Sequence, residues 1–143
     1  GCEAVGTTCL RVISGLGTPV LWWMACAALV AGIWWWLGRR DWRFAVPVLG
    51  VLAVWLPWFQ FAARPLFFFY AIVLLPFYAT GLAMTLGKIL GPAHHPKRRI
   101  RAMLVGLAVG VVILHFTFIY PILTDGLLTR PEWLSRMWFG TWI

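Results

Sequence analysis

One arginine lies between two long apolar stretches, in the segment ARPLFFFYAIVLLPF of residues 63–77. This residue, Arg64, is followed by Pro65, three phenylalanines and Tyr70. The planar guanidinium group can bind two phosphate oxygens at once, and neighbouring aromatic rings can cover an apolar chain. An arginine in such surroundings is suited to hold the phosphate of a lipid at a membrane interface. The alternative for any single arginine is extension of its side chain to the lipid headgroups.

A second arginine in aromatic surroundings is Arg136, in the C-terminal segment GLLTRPEWLSRMWFGTWI. This segment is too short and too charged to cross a membrane, so we expect it to lie along the membrane surface. Its tryptophans, Trp133, Trp138 and Trp142, are expected to face lipid or the helices. The candidate ligands of a lipid phosphate are therefore Arg64, Tyr70 and Arg136.

Catalytic and metal-binding groups are scarce in this sequence. The four carboxylates lie outside the apolar stretches, at Glu3, Asp41, Asp125 and Glu132. This argues against a proton-coupled exporter, because such a protein needs a carboxylate within the membrane. Two adjacent histidines, at positions 94 and 95, lack partners at zinc-binding spacing. No metal site and no catalytic residue is predicted.

Two of the three cysteines share the N-terminal segment. Cys2 and Cys9 are close enough in sequence to form a disulfide, and two free thiols are the alternative. Cys26 lies in the first apolar stretch and is expected to pack as a small hydrophobic residue.

The composition predicts an integral membrane protein. Hydrophobic residues make up 62% of the 143 residues and charged residues only 11%, whereas soluble domains carry about 25% charged residues. Four uncharged stretches are long enough to cross the hydrocarbon layer as helices. They are residues 20–38, 44–62, 66–84 or slightly longer, and 102–123. The predicted fold class is all-α, with four transmembrane helices.

The distribution of basic residues predicts the orientation of these helices. Eight of the twelve lie in the first connection (Arg39–Arg43) and the third connection (Lys88–Arg101), and four lie on the opposite side. The positive-inside rule therefore places the two basic connections in the cytoplasm and both ends of the segment outside. The run HHPKRRIR (94–101) is expected to face anionic membrane lipids, with no nucleic-acid partner.

Three regions follow from this topology: an extracytoplasmic loop (1–19), the four-helix region (20–123) and an extracytoplasmic interfacial tail (124–143). An outside N-terminal segment without a signal sequence predicts further spans upstream, in a larger protein. In the fourth span, Gly106 and Gly110 have a spacing that allows close helix approach. His115 is expected to form an interhelical hydrogen bond, with a ligand or proton-relay role as the alternative.

Three segments carry a resemblance to a known family. They are GCEAVGTTCLRVISGLGTPVLWW, WLPWFQFAARPLFFFYAIVLLPF and IYPILTDGLLTRPEWLSRMWFGTWI. In this order they resemble the C-terminal four-span region of the actinobacterial protein O-mannosyltransferases, which are multi-span glycosyltransferases of the GT-C type. The resemblance covers essentially the whole chain. One departure concerns the run after Arg64, where eukaryotic relatives have histidines and this chain has phenylalanines.

The resemblance implies transfer of mannose from a polyprenyl-phosphate carrier to Ser or Thr hydroxyls of proteins that cross the plasma membrane. The family's catalytic carboxylate lies in an N-terminal loop that this sequence does not contain. The chain is therefore expected to bind the lipid donor and to brace the missing N-terminal half, and to be inactive alone. The alternatives are a non-enzymatic four-span scaffold and half of a transporter, which the absence of charges within the spans disfavours.

Overall fold

The computed structural model describes residues 9–60 and 68–140. Its long elements are four helices: α1 (Pro19–Arg39), α2 (Ala45–Gln60), α3 (Leu75–Leu90) and α4 (Arg98–Leu123). A short antiparallel pair, β1 (Cys9–Leu10) and β2 (Leu128–Thr129), and a short helix, α5 (Arg130–Leu134), complete them. Two 3-10 helices, Trp42–Phe44 and Phe68–Leu74, precede α2 and α3.

Four helical segments are long and apolar enough to cross a membrane: Pro19–Arg39, Trp42–Gln60, Tyr70–Leu90 and Arg98–Leu123. Helices satisfy their own backbone hydrogen bonds, which is the requirement that lipid imposes on any spanning segment. Large apolar side chains remain exposed along all four, as expected of surfaces that face lipid tails. The predicted all-α membrane fold with four spans is confirmed.

Among the described residues, the third candidate span is Tyr70–Leu90, where the sequence predicted residues 66–84 or slightly more. Its first part is a 3-10 helix, and the α-helix begins only at Leu75, with Pro76 in its first turn. Proline has no N–H to donate, so it is favoured at this position. The other end continues to Leu90, and its last turn carries Lys88, which is paired with Asp41.

The chain divides into two compact units. The helical unit is Val20–Val109 and the terminal unit is Gly1–Pro19 with Gly110–Ile143. In the helical unit, α2 packs on α3. Gly81 of α3 lies against Leu29 and Pro47, and Thr85 Oγ1 donates to the Ala28 carbonyl at 3.3 Å, which joins α3 to α1.

Close approach of α2 and α3 depends on Gly50, because a Cβ there would overlap the Phe77 ring. The sequence had predicted such contacts at Gly106 and Gly110 instead. Among the described residues, nothing lies within 4 Å of where a Cβ would stand at either position. The glycine spacing in the fourth span therefore marks no helix contact in this part of the chain.

Candidate functional site

The terminal unit is built on one face of the last turns of α4. His115, Ile119 and Ile122 are its buried residues, and their spacing of four and three positions places them on the same side of the helix. Leu128 and Met137 close over this face to complete a small apolar core. Leu16, Leu123 and Trp133 pack against that core from its edge. The C-terminal segment is therefore held against α4 by apolar contacts.

A sharp turn after α4 returns the chain to this face. Asp125 has a positive φ of 56°, and the Gly126 amide donates to the Pro121 carbonyl at 2.7 Å. A Cβ at Gly126 would stand 2.8 Å from that same carbonyl oxygen, so a side chain there would force the turn apart. Thr124 Oγ1 donates to the Tyr120 carbonyl at 3.0 Å and satisfies another group at the helix end.

The N-terminal segment is attached to the same end of α4. Cys9 and Leu10 pair with Thr129 and Leu128 in the two-stranded sheet. The Ser14 amide donates to the Ile122 carbonyl at 2.9 Å. These backbone bonds, which the sequence did not indicate because each strand has only two residues, join residues 9–14 to β2 and to the end of α4.

Some of the residues predicted to form a disulfide or to bind a phosphate lie outside the described residues. Cys9 is disulfide-bonded and Cys26 is free, whereas Cys2 lies outside the described residues, so the predicted Cys2–Cys9 pairing stays a prediction. Arg64 also lies outside the described residues. Tyr70 is described, and its ring lies 4.7 Å from the Trp58 ring, centroid to centroid. Trp58 and Tyr70 stand on either side of Arg64 in the sequence.

Arg136 is half-buried and contacts the end of α4. Its Nε donates to the Phe118 carbonyl at 2.8 Å and one terminal nitrogen donates to the Glu132 carbonyl at 2.6 Å. Its guanidinium carbon lies 4.8 Å from the centroid of the Phe118 ring, a cation–π geometry. Two of the five N–H groups therefore bind backbone carbonyls, and among the described residues the other terminal nitrogen binds no acceptor.

Glu132 is bound within α5. Its Oε2 accepts hydrogen bonds from both the amide and the hydroxyl of Thr129, each at 2.8 Å. The Glu132 amide donates to Thr129 Oγ1 at 3.4 Å, so the two residues form a capping box. The hydrogen bonds from Thr129 hold the pKa of the Glu132 carboxyl below its ordinary value. A carboxylate stabilised in its charged form is a poor proton acceptor.

Asp125 is the other carboxylate described in the terminal unit. Its Oδ2 lies 4.0 Å from a terminal nitrogen of Arg11, and both side chains are substantially exposed. An exposed pair at this distance contributes little stability. Asp125 is thus exposed beside Arg11, and Glu132 is already bound by Thr129.

His115 and Trp133 have buried polar atoms. His115 lies 4.7 Å from the Trp138 ring, centroid to centroid. Neither ring nitrogen of His115, nor Nε1 of Trp133, has a hydrogen-bond partner among the described residues. The predicted interhelical hydrogen bond of His115 is thus not made within this part of the chain. In the same part, no group of three or more His, Cys, Asp or Glu side chains could hold a metal ion.

The helical unit contains a narrow apolar cleft between α1 and α3. Leu21, Trp22 and Ala25 line one side of it, and Leu75, Tyr78 and Leu82 line the other. Trp22 and Tyr78 meet edge to face, with 5.3 Å between their ring centroids. Cys26 Sγ lies 3.9 Å from the Tyr78 hydroxyl, and Cys26 is exposed rather than packed inside the unit. The cleft lies along the first half of α3, which follows Tyr70 in the sequence.

Four apolar spanning helices with an ordered segment folded on the last of them define a multi-pass membrane protein. Comparison with known proteins is more specific. The chain is 35% identical over 147 residues to a polyprenol-phosphate-mannose–protein mannosyltransferase of Mycobacterium tuberculosis. Proteins of the same name from Mycolicibacterium smegmatis and Corynebacterium glutamicum are 37% identical over 144 residues and 30% identical over 140.

These matches cover 96 to 99% of this chain and 27 to 28% of the relatives. The chain thus spans about a quarter of the length of the curated relatives that it matches. No protein-family model matches it, and no solved structure does. The resemblance is confirmed: nearly the whole chain is homologous to part of the actinobacterial polyprenol-phosphate-mannose–protein mannosyltransferases.

Proposed function

We propose that this chain is the C-terminal four-span region of a protein O-mannosyltransferase in the plasma membrane. The intact protein would transfer mannose from polyprenyl-phosphate-mannose to Ser or Thr hydroxyls of proteins that cross the membrane. The observation that carries this proposal is the homology over 96 to 99% of the chain to proteins that bear this name. The four apolar helices agree with a donor that is itself held in the membrane by its lipid.

The first part played by this region is binding of the lipid donor. Arg64, with Tyr70 beside Trp58, is proposed to contact the phosphate, because an arginine can bind two of its oxygens. Arg136 can offer its remaining terminal nitrogen in the same way, while its other contacts fix it against Phe118. The apolar cleft beside Trp22 and Tyr78 is suited to a branched hydrocarbon chain, since its lining is almost wholly apolar.

The second part is structural support of the rest of the protein. The terminal unit ties its N-terminal segment, the end of α4 and the tail together through β1, β2 and the Ser14–Ile122 bond. Such a unit can hold a fixed surface toward further spans. The proposed division of labour leaves proton transfer to the missing part, because Glu132 is bound by Thr129 and Asp125 is exposed.

A transfer assay tests both the mannosyltransferase activity and the proposed division of labour between this chain and the rest of the protein. Membranes that contain the full-length parent protein should transfer labelled mannose from polyprenyl-phosphate-mannose to a peptide that contains Ser and Thr. The same peptide with every Ser and Thr replaced by Ala should receive none. The 143-residue chain alone should show no transfer above background, since activation of a hydroxyl needs a general base that this region does not supply.

The outcomes of this transfer assay distinguish the enzyme proposal from a non-enzymatic scaffold. Absence of transfer by the full-length parent, when it is folded and supplied with donor, would contradict the enzyme proposal and favour a non-enzymatic scaffold. Transfer by the isolated chain would contradict the division of labour alone.

A further inference from the structure

The first and third connections of the helical unit are joined by a short ion pair. Lys88 Nζ, in the last turn of α3, lies 2.6 Å from Asp41 Oδ2, which directly precedes the 3-10 helix before α2. The Asp41 side chain is only 18% exposed, so this pair is less screened than an ordinary surface pair. Lys88 also lies 5.8 Å from the centroid of the Phe44 ring, and Phe44 is 1% exposed.

The backbone on both sides of this pair has a defined shape. α1 ends where Arg40 takes a positive φ of 54° and the Asp41 amide donates to the Trp35 carbonyl at 3.1 Å. α3 ends at Gly91, with a φ of 69°. Arg98 donates to the Gly91 carbonyl at 2.8 Å, which ties the start of α4 back to the end of α3. Lys88 and Arg98 therefore hold the two connections in place.

Six cations of these connections remain, and one of them, Arg101, is half-buried. The other five are exposed: Arg39, Arg40, Arg43, Lys97 and Arg99. Residues 20–109 contain one carboxylate, Asp41, and it is neutralised by Lys88. Trp42 lies among these cations and is 71% exposed. A tryptophan with an exposed ring next to a spanning helix is typical of the headgroup level of a membrane.

We infer that the Asp41–Lys88 pair joins the two connections into one surface that binds the anionic headgroups of phospholipids on its side of the membrane. Its charge is complementary to such headgroups, and its cations directly adjoin the ends of spanning helices. The effect of Asp41 on lipid binding is then opposite to the effect that its charge alone would have. Asp41 is an anion, yet it favours the binding of anionic lipid because it positions the cations of both connections.

Lipid binding could be governed by the net charge of the surface alone or by its assembly through the Asp41–Lys88 pair, and the two explanations predict opposite effects of Asp41→Asn. This substitution raises the net charge by one, so a surface governed by charge alone would bind anionic lipid more tightly. A surface assembled by the pair would bind it more weakly. Asp125→Asn is the matched control, because it makes the same charge change at an exposed carboxylate of the terminal unit.

The experiment uses the full-length parent protein in phosphatidylcholine nanodiscs with increasing fractions of phosphatidylglycerol. The fraction of phosphatidylglycerol that gives half of the maximal rise in thermal unfolding temperature measures lipid binding. Replacement of Arg40, Arg43 and Arg99 by Gln should weaken binding by roughly fivefold for each charge removed. Asp41→Asn should weaken it severalfold, and Asp125→Asn should leave it unchanged.

A charge swap keeps the test decisive if the single variant is unstable. Asp41→Lys should weaken binding, and Asp41→Lys combined with Lys88→Asp, which restores the net charge and the pair, should recover it. Binding by Asp41→Asn that equals or exceeds that of the parent would overturn the inference. Two competition arms test the partner: inorganic phosphate or a short RNA that displaces phosphatidylglycerol would overturn the assignment to a lipid surface.

Discussion

Arg64 and Arg136 both have aromatic neighbours in the sequence. The contacts of Arg136 show that part of such a guanidinium group can be bound by backbone carbonyls. Two of its N–H groups bind the carbonyls of Phe118 and Glu132. The sequence indicated a membrane-interface arginine at this position, but it could not indicate these bonds. They depend on the turn at Asp125 and Gly126, which brings the tail back along α4.

Of the two arginines, Arg64 is predicted to have a larger effect on donor binding than Arg136. In the full-length protein, Arg64→Ala should lower donor affinity or turnover roughly tenfold to a hundredfold, about 1.4–2.7 kcal/mol. Arg64→Lys should recover only part of the loss, because lysine keeps the charge but cannot bind two phosphate oxygens in a fork. Rates of mannose transfer at varied donor concentrations measure both effects.

The control for this prediction is Arg130→Ala, which removes an exposed arginine at the start of α5. It should change donor kinetics little. If Arg64→Ala and Arg64→Lys are folded and transfer mannose at the parent rate, Arg64 contacts only lipid headgroups and the phosphate assignment is wrong.

At the scale of single elements, the contact of α2 with α3 depends on the missing side chain of Gly50. Gly50→Ala should destabilise the helical unit by about 1–3 kcal/mol, because the Phe77 ring must move to admit a Cβ. Unfolding of the full-length protein in mixed detergent, followed by tryptophan fluorescence, measures this change.

Gly106→Ala provides the comparison, since nothing described lies within 4 Å of its Cβ position. It should be neutral or stabilising, because alanine favours a helix more than glycine does. The double variant Gly50→Ala, Phe77→Leu should regain part of the loss. Equal unfolding of the two single glycine variants would show that the α2–α3 contact does not need Gly50.

The capping box of α5 predicts a local dependence on pH. The Glu132 pKa lies below its ordinary value of 4.5 in the folded protein, so the carboxylate stabilises α5 fully above about pH 4.5. This contribution is lost as the pH falls through the lowered pKa. The protection factor of the Thr129 amide, which donates to Glu132, should therefore fall on acidification, once the measured exchange rate is divided into the intrinsic rate at the same pH.

Glu132→Gln is the matched variant, because glutamine can also accept in a capping box but does not titrate. Its Thr129 amide should show no such acid-dependent loss of protection. A parent profile identical to that of Glu132→Gln would mean that the Glu132 carboxylate does not hold α5.

Most of the helical architecture could be predicted because it depends on composition. Stretches of about 20 apolar residues have one stable form in lipid, so three of the four spans began and ended within a few residues of expectation. In the third, the described part begins with a 3-10 segment, which the apolar composition did not distinguish from an α-helix, and the helix extends to Leu90. The two-residue strands depend on tertiary contacts, which apolar periodicity does not carry. The capping box of Thr129 and Glu132 is local, and its T-x-x-E spacing is a signal that could have predicted it from the sequence.

For the whole molecule, the orientation in the membrane is the prediction on which the proposed active face depends. Eight basic residues in the first and third connections predict that these face the cytoplasm, and that the tail faces outside. Two single cysteines distinguish the sides: Ser135→Cys in the tail and Ala93→Cys in the third connection, both at exposed positions. Each would be placed in the full-length protein and compared with the parent, whose own cysteines set the background.

A thiol reagent that cannot cross membranes should label Ser135→Cys in intact cells and Ala93→Cys only after permeabilisation. The reverse pattern would place the tail, the terminal unit and the region of Arg64 on the cytoplasmic side. Acceptors that are modified while they cross the membrane would then not meet the proposed donor site, and the mannosyltransfer proposal would need an opposite active face. The expected pattern would instead put Arg136 and the α4 end on the face where the lipid-linked mannose and the acceptor hydroxyl must meet.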